Sequence, residues 1–359
     1  MAGRDQSTVV DWGLAGRVGR GVSGGDERGG LDPAGTRDAC ERALELVRAY
    51  TGLEPEGDLP AAEIVSRHEW IATNLTDLRE LAAPIEARAA GEIALPGPLA
   101  GFMRAGVGAA AGIEAGVTVG YASRRVLGQY QVALTPRPRP PRMLLVGRNV
   151  SSTARELEVD AERFLLWVAI HEQTHALQFA SVPWLREHLA RLVERLITNA
   201  SRGIDFSGLA ALGRRMVSGD PRRALREVMR GELARALAGP EQAAIIDELQ
   251  AVMAVVEGHA EHVMDAAAGE DPELARMRRL MTERRSERGG LADVIARILG
   301  LGMKLRQYEL GKAWADAVTA QAGMDGLNRV WDEPGALPTA HELEHPAGWT
   351  RRVVNRSVA

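Results

Sequence analysis

The sequence predicts a mainly α protein with a small β-sheet. Helical periodicity runs through most of its 359 residues, while a clear strand signal is confined to one short apolar run. One segment, about 153–180, carries Phe164, Leu165, Trp167, Val168, Ile170, Leu177 and Phe179, which makes it apolar on most sides and places it in a core.

Taken in order, the chain opens on Gly19-Arg20-Gly21-Val22-Ser23-Gly24, which has the spacing of a dinucleotide fingerprint. No strand precedes it, and the residues through Gly30 read as a glycine-rich loop, so nucleotide binding is not expected. Helical spacing then covers about 36–52, 60–90, 97–130, 153–180, 183–199, 221–237, 241–268, 291–300 and 303–322. Within the third of these, Gly101, Gly106, Gly108, Gly112, Gly116 and Gly120 are spaced for close helix packing. Arg104 and Glu114 interrupt that stretch, so it reads as packed helices of a soluble domain and not as a membrane span.

The run Pro136-Arg137-Pro138-Arg139-Pro140-Pro141 is extended and leads into the one clear strand, Met143-Leu144-Leu145-Val146. It is a natural boundary between an N-terminal helical portion, 1–135, and a second portion, 142–359. Arg276 to Arg288 is interleaved with or flanked by Glu273, Glu283 and Glu287 and reads as a solvated helix end running into a loop.

The chemistry is concentrated in His171-Glu172-Gln173-Thr174-His175. On a helix, positions i and i+4 share a face with Cβ atoms about 5–6 Å apart, so His171 and His175 can converge on one metal ion. Glu172 lies one step round, where its carboxylate can reach a metal-bound water and take its proton. Burying such groups in an apolar helix is costly unless something pairs with them, and zinc is the simplest partner. A second match, His341-Glu342-Leu343-Glu344-His345, sits between Thr339, which with Glu342 makes a capping box, and Pro346. It reads as a capped turn.

A catalytic zinc keeps three protein ligands and one open position. The third ligand is sought in Glu257-Gly258-His259-Ala260-Glu261-His262-Val263-Met264-Asp265, where an apolar helix suddenly becomes dense in ionisable groups. Glu257, Glu261 and Asp265 recur on one face, as for a ligand followed by carboxylates that orient the zinc histidines. Gly258, beside Glu257, is expected to let this helix approach the metal helix closely. His259 and His262 form a competing pair on another face, so the ligand is either Glu257 or one of these histidines.

These residues carry a resemblance. The motif at 171–175 followed by Glu257-Gly258-His259-Ala260-Glu261 resembles the gluzincin branch of the zincins. The C-terminal Lys304-Leu305-Arg306-Gln307-Tyr308-Glu309-Leu310-Gly311, Gly323-Met324, Leu327-Asn328, Trp331, Leu337-Pro338-Thr339 and Trp349 resemble a zincin-like metallopeptidase family of actinobacteria and Chloroflexi. Asp11-Trp12-Gly13-Leu14-Ala15 and Leu127-Gly128-Gln129-Tyr130 resemble it too, so the likeness spans nearly the whole chain. One branch of that family is labelled as associated with deazaflavin cofactor biosynthesis. The resemblance implies a zincin-like, gluzincin-type fold, a metallohydrolase portion at 142–359 and hydrolase activity, but no substrate. By analogy with zincins, Met143 to Val146 is expected to be the edge strand that binds extended peptide.

Composition agrees with a cytoplasmic protein. The net charge of −4 and pI near 6.1 leave no footprint for nucleic acid or an anionic membrane. Cys40 is the sole cysteine, so any metal must use His, Asp or Glu. Charged residues from Asp5 to Glu27 interrupt any signal peptide. The expected enzyme is a zinc metallopeptidase with ligands His171, His175 and Glu257 and base Glu172, acting on a peptide or small amide. Tyr308 or Arg306 is a candidate second donor to the oxyanion, with an ordinary structural role as the alternative for each. The rival class is a non-catalytic zinc-stabilised interaction protein, in which no base would be needed.

Overall fold

The computed structural model describes residues 9–92, 98–135, 139–203, 240–267, 269, 271–288 and 306–355. The expected helices at 221–237 and 291–300 lie outside them.

The sheet is the element that organises the site. Strands β1 (Ala62–Val65), β2 (Gly128–Gln131) and β3 (Arg142–Val146) form one sheet in the order β1-β3-β2. β1 runs parallel to β3 and β2 antiparallel to it. β3 is therefore the central strand, which corrects the expectation that Met143 to Val146 is an edge; the edge beside the motif helix is β2. Side chains alternate across β3, with Met143 and Leu145 facing one core and Leu144 and Val146 another.

Two of these strands replace expected helix. Residues 60–90 divide into β1 and α3 (Arg67–Glu92), and residues 97–130 into α4 (Pro98–Ser123) and β2. Four-residue strands paired with a distant partner outweigh local helical spacing here, because the ladder hydrogen bonds are tertiary. The glycine-rich opening is also corrected in part. Trp12–Ser23 is a helix, α1, capped by the Asp11 carboxylate, which accepts from Leu14 N at 2.8 Å. It lies backbone to backbone with the glycines of α4: a Cβ on Gly116 would sit 2.5 Å from Ala15 O. Only Gly24, Gly25 and Gly29, all at positive φ, form the loop that follows. No helix among the described residues is long and apolar enough to cross a membrane.

Helix α2 (Pro33–Thr51) packs on the motif helix. The expected single helix at 153–180 is two, α5 (Gly147–Glu156) and α6 (Ala161–Ser181), because Glu158 adopts φ 52° and Asp160 caps α6 by accepting from Arg163 N. α6 is buried on nearly every side from Phe164 to Gln178. After α7 (Pro183–Gly203), α8 (Pro240–Ala267) crosses α6, and α9 (Pro272–Arg288) follows. α10 (Arg306–Asn328) packs against α8 where Gly258 meets Gly311, which corrects the expectation that Gly258 faces the metal helix α6. A Cβ on Gly258 would fall 2.1 Å from the Gly311 carbonyl carbon, so only glycine permits this crossing. Two short 3₁₀ turns, α11 (Ala340–Glu344) and α12 (Pro346–Val353) close the chain around Trp314 and Trp349.

Candidate metal centre

α6 presents His171 and His175 one turn apart, and their Nε2 atoms lie 3.1 Å from each other. Glu257, from α8, places Oε2 at 3.7 Å from each of them. Among the described residues these three form the one group of His, Cys, Asp or Glu side chains whose ligand atoms could hold a metal ion. The fit can be tested on distance alone. Ligand bonds of about 2.0–2.1 Å in tetrahedral array put donor atoms about 3.3 Å apart. The observed 3.1 and 3.7 Å lie within a few tenths of that. Two imidazoles and one carboxylate are also a donor set that suits zinc. The three side chains keep 17, 11 and 22% of their surface exposed, so the group is not sealed from solvent.

Glu172 reaches the sheet edge. Its Oε2 accepts a hydrogen bond from Tyr130 N at 2.7 Å. Gly128 makes room for it, since a Cβ there would lie 2.7 Å from Glu172 Cγ and 2.8 Å from Oε1. Burial pushes the Glu172 carboxyl up to about 7, although His175 and the Tyr130 N–H both pull it down. The remaining motif residues face the core. Gln173 donates to Cys40 O on α2, and Thr174 donates to Ile170 O within the helix.

The other ionisable groups of α8 disperse. Asp265 pairs with Lys312 of α10 at 2.9 Å and with Arg278 of α9 at 2.8 Å. It does not orient a zinc histidine, which corrects that part of the expected one-face pattern. Glu261 is half-buried one turn beyond Glu257. His262 points to Tyr50 Oη (2.8 Å) and Asp316 (2.7 Å), whereas His259 points to Gln178, so the two histidines do not form a metal pair. Arg306 and Tyr308 begin α10; their side chains lie outside the described residues. His341 and His345 stack at 4.3 Å on α11, whose Thr339–Glu342 capping box is present, and no further ligand joins them among the described residues.

The sequence marked Gly128 and Tyr130 only as part of a family-like stretch, with no role at the site, and Gln178 was missed. Gln178 Oε1 lies 2.9 Å from His175 Nδ1. Its signal was faint, a neutral amide three residues past His175, and the role of Gly128 was hidden because 97–130 read as helix.

Fold and site together define a helical metallohydrolase-like protein with a His-Glu-x-x-His helix beside a sheet edge. The chain belongs to the zincin-like metallopeptidase family, whose profile matches residues 10–350. This bears out the family resemblance read from the sequence. A solved structure from Chloroflexus aurantiacus, described as a candidate hydrolase with a novel fold, is similar to it at 25% identity and a TM-score of 0.70, covering 96% of this chain and 98% of that one. No curated protein matches the chain.

Proposed function

We propose that this chain is a zinc-dependent hydrolase of amide bonds, in a peptide or a small molecule. His171, His175 and Glu257 would hold the metal, and Glu172 would act as the base. The reading is carried by one observation: two Nε2 atoms 3.1 Å apart face a carboxylate oxygen 3.7 Å from both, beside a separate buried carboxylate. Zinc held there supplies Lewis acidity, polarising a scissile carbonyl and acidifying water.

The protein supplies the rest. Glu172 takes the proton released from water on its carboxylate and delivers it to the leaving nitrogen. The Tyr130 N–H fixes the direction of that carboxylate while β2 shields it from bulk water. Arg306 and Tyr308, at the start of α10, are the candidates for a second donor to the oxyanion. The presence of Glu172 favours an enzyme over a zinc-stabilised interaction protein, since ligands alone suffice for a structural site.

The test is a screen of quenched-fluorescence peptides and small chromogenic amides with zinc-loaded protein and its Glu172→Gln variant. Hydrolysis by the parent, with a loss of about 10²–10⁴-fold in the variant at unchanged zinc content, supports the reading. Equal rates in both proteins contradict it.

A further inference from the structure

We infer that Gln178 and His259 form a positioning relay that holds the metal-facing nitrogen of His175 bare, so that the site is set for a metal before one arrives. The inference rests on the metal-centre reading above and goes beyond it by fixing where each proton sits.

Two backbone carbonyls, Val256 O and Thr51 O, can only accept. Gln178 Nε2 lies 2.9 Å from Val256 O, and only an amide NH₂ can face a carbonyl there. The orientation of the Gln178 amide is thereby determined, and the uncertainty that usually attends such groups is removed. Its Oε1 must then be the atom at 2.9 Å from His175 Nδ1, so that nitrogen must donate. A neutral imidazole carries one proton. With it on Nδ1, His175 Nε2 is left as a lone pair, directed at His171 Nε2 and Glu257.

The far side agrees. Gln178 Nε2 also lies 3.0 Å from His259 Nδ1, which therefore accepts, leaving the His259 proton on Nε2. At the end of the chain, Asn328 Nδ2 donates to Thr51 O at 2.7 Å, which turns Asn328 Oδ1 into the available acceptor. His259 Nε2 and Asn328 Oδ1 are both buried without another partner, and the Asn328 side chain is a polar group that approaches the His259 ring. His259 is fully buried, and its Nδ1 faces an N–H of Gln178 and so carries no proton, as the relay requires.

The two Gln178 links are thus set by the Val256 carbonyl, because no other orientation of the amide gives that carbonyl a donor. A carboxylate commonly fills this place behind a metal-binding histidine. Here a neutral amide does so, which avoids a buried charge next to the hydrophobic residues of α6 and α8.

The experiment measures the imidazole ¹⁵N shifts of metal-free, full-length protein, together with zinc affinity by chelator competition. His175 is expected as the Nδ1–H tautomer in the parent and in Gln178→Glu, which keeps the acceptor. Gln178→Leu should lose that preference and bind zinc about 10–100-fold more weakly, with His259→Phe shifted in the same direction but less. A parent His175 protonated on Nε2, or a Gln178→Leu variant with parental affinity, overturns the relay. If Gln178→Leu does not fold, the parent tautomer alone decides. A parent that binds no zinc would sink the hydrolase reading instead, and the tautomer remains readable in that case.

Discussion

The Tyr130 N–H donates to the Glu172 carboxylate across 2.7 Å, which ties the candidate base of α6 to the edge strand β2. The contact exists because Gly128, two residues earlier, leaves the space that the Glu172 side chain occupies.

Gly128→Ala is therefore expected to displace the base and leave the metal ligands in place. Its new methyl would sit 2.7 Å from Glu172 Cγ, closer than real contacts allow. Hydrolysis should fall toward the 10²–10⁴-fold loss typical of removing a general base, roughly, while zinc content holds. Steady-state rates alongside elemental analysis check this; parental rates in the variant would show that the strand does not position Glu172.

A second expectation concerns the Gly258–Gly311 crossing. Gly258→Ala must push α8 and α10 apart, since its Cβ would meet the Gly311 backbone at 2.1–2.4 Å. Overpacking of this kind costs about 1–3 kcal/mol, and backbone contact places it at the upper end. Urea denaturation of metal-free protein measures it, and an unchanged midpoint would mean that the helices separate freely.

Asp265 provides a negative control for the site. Because it is engaged by Lys312 and Arg278, Asp265→Asn should change zinc affinity by less than about twofold, as expected for sites without shared partners. Its cost should appear in thermal stability. A tenfold loss of zinc affinity, on the order of what an orienting carboxylate contributes, would restore it to the metal centre.

Cys40 gives a pH signature. Burial raises its thiol from 9.0 to about 11, with Glu172 and Glu41 adding to the shift. A folded-state value above the unfolded one means that the contribution is fully present below the unfolded value and is lost as pH rises. The stability difference between the parent and Cys40→Ala should accordingly shrink between pH 9 and 11. Denaturation series at pH 8 and above test it, and a difference that does not vary with pH would contradict the burial.

What could be read from the sequence was what depends on local spacing. His171, Glu172 and His175 are set by one helical turn, and Glu257 stands out because charge appears abruptly in an apolar helix. A close approach at Gly258 was legible as a glycine beside a ligand candidate, but its partner was not, since Gly258 meets Gly311 of α10 and not α6. β1 and β2 were not legible, because four-residue strands are stabilised by pairing with β3 and carry little pattern of their own. α1 was hidden by its glycines, whose role is contact with α4 and not chain reversal. Among the polar groups, Asp265 misled because shared helical phase does not say which neighbouring helix will supply a cation. Gln178 was missed because its importance lies in three partners from two helices, His175, Val256 and His259.

The most direct measurement is the zinc content of the purified protein and of His171→Ala/His175→Ala by elemental analysis. The account predicts about one zinc per chain in the parent and none in the double variant, since a single three-ligand site carries the metal. Full retention of zinc in the double variant would contradict it.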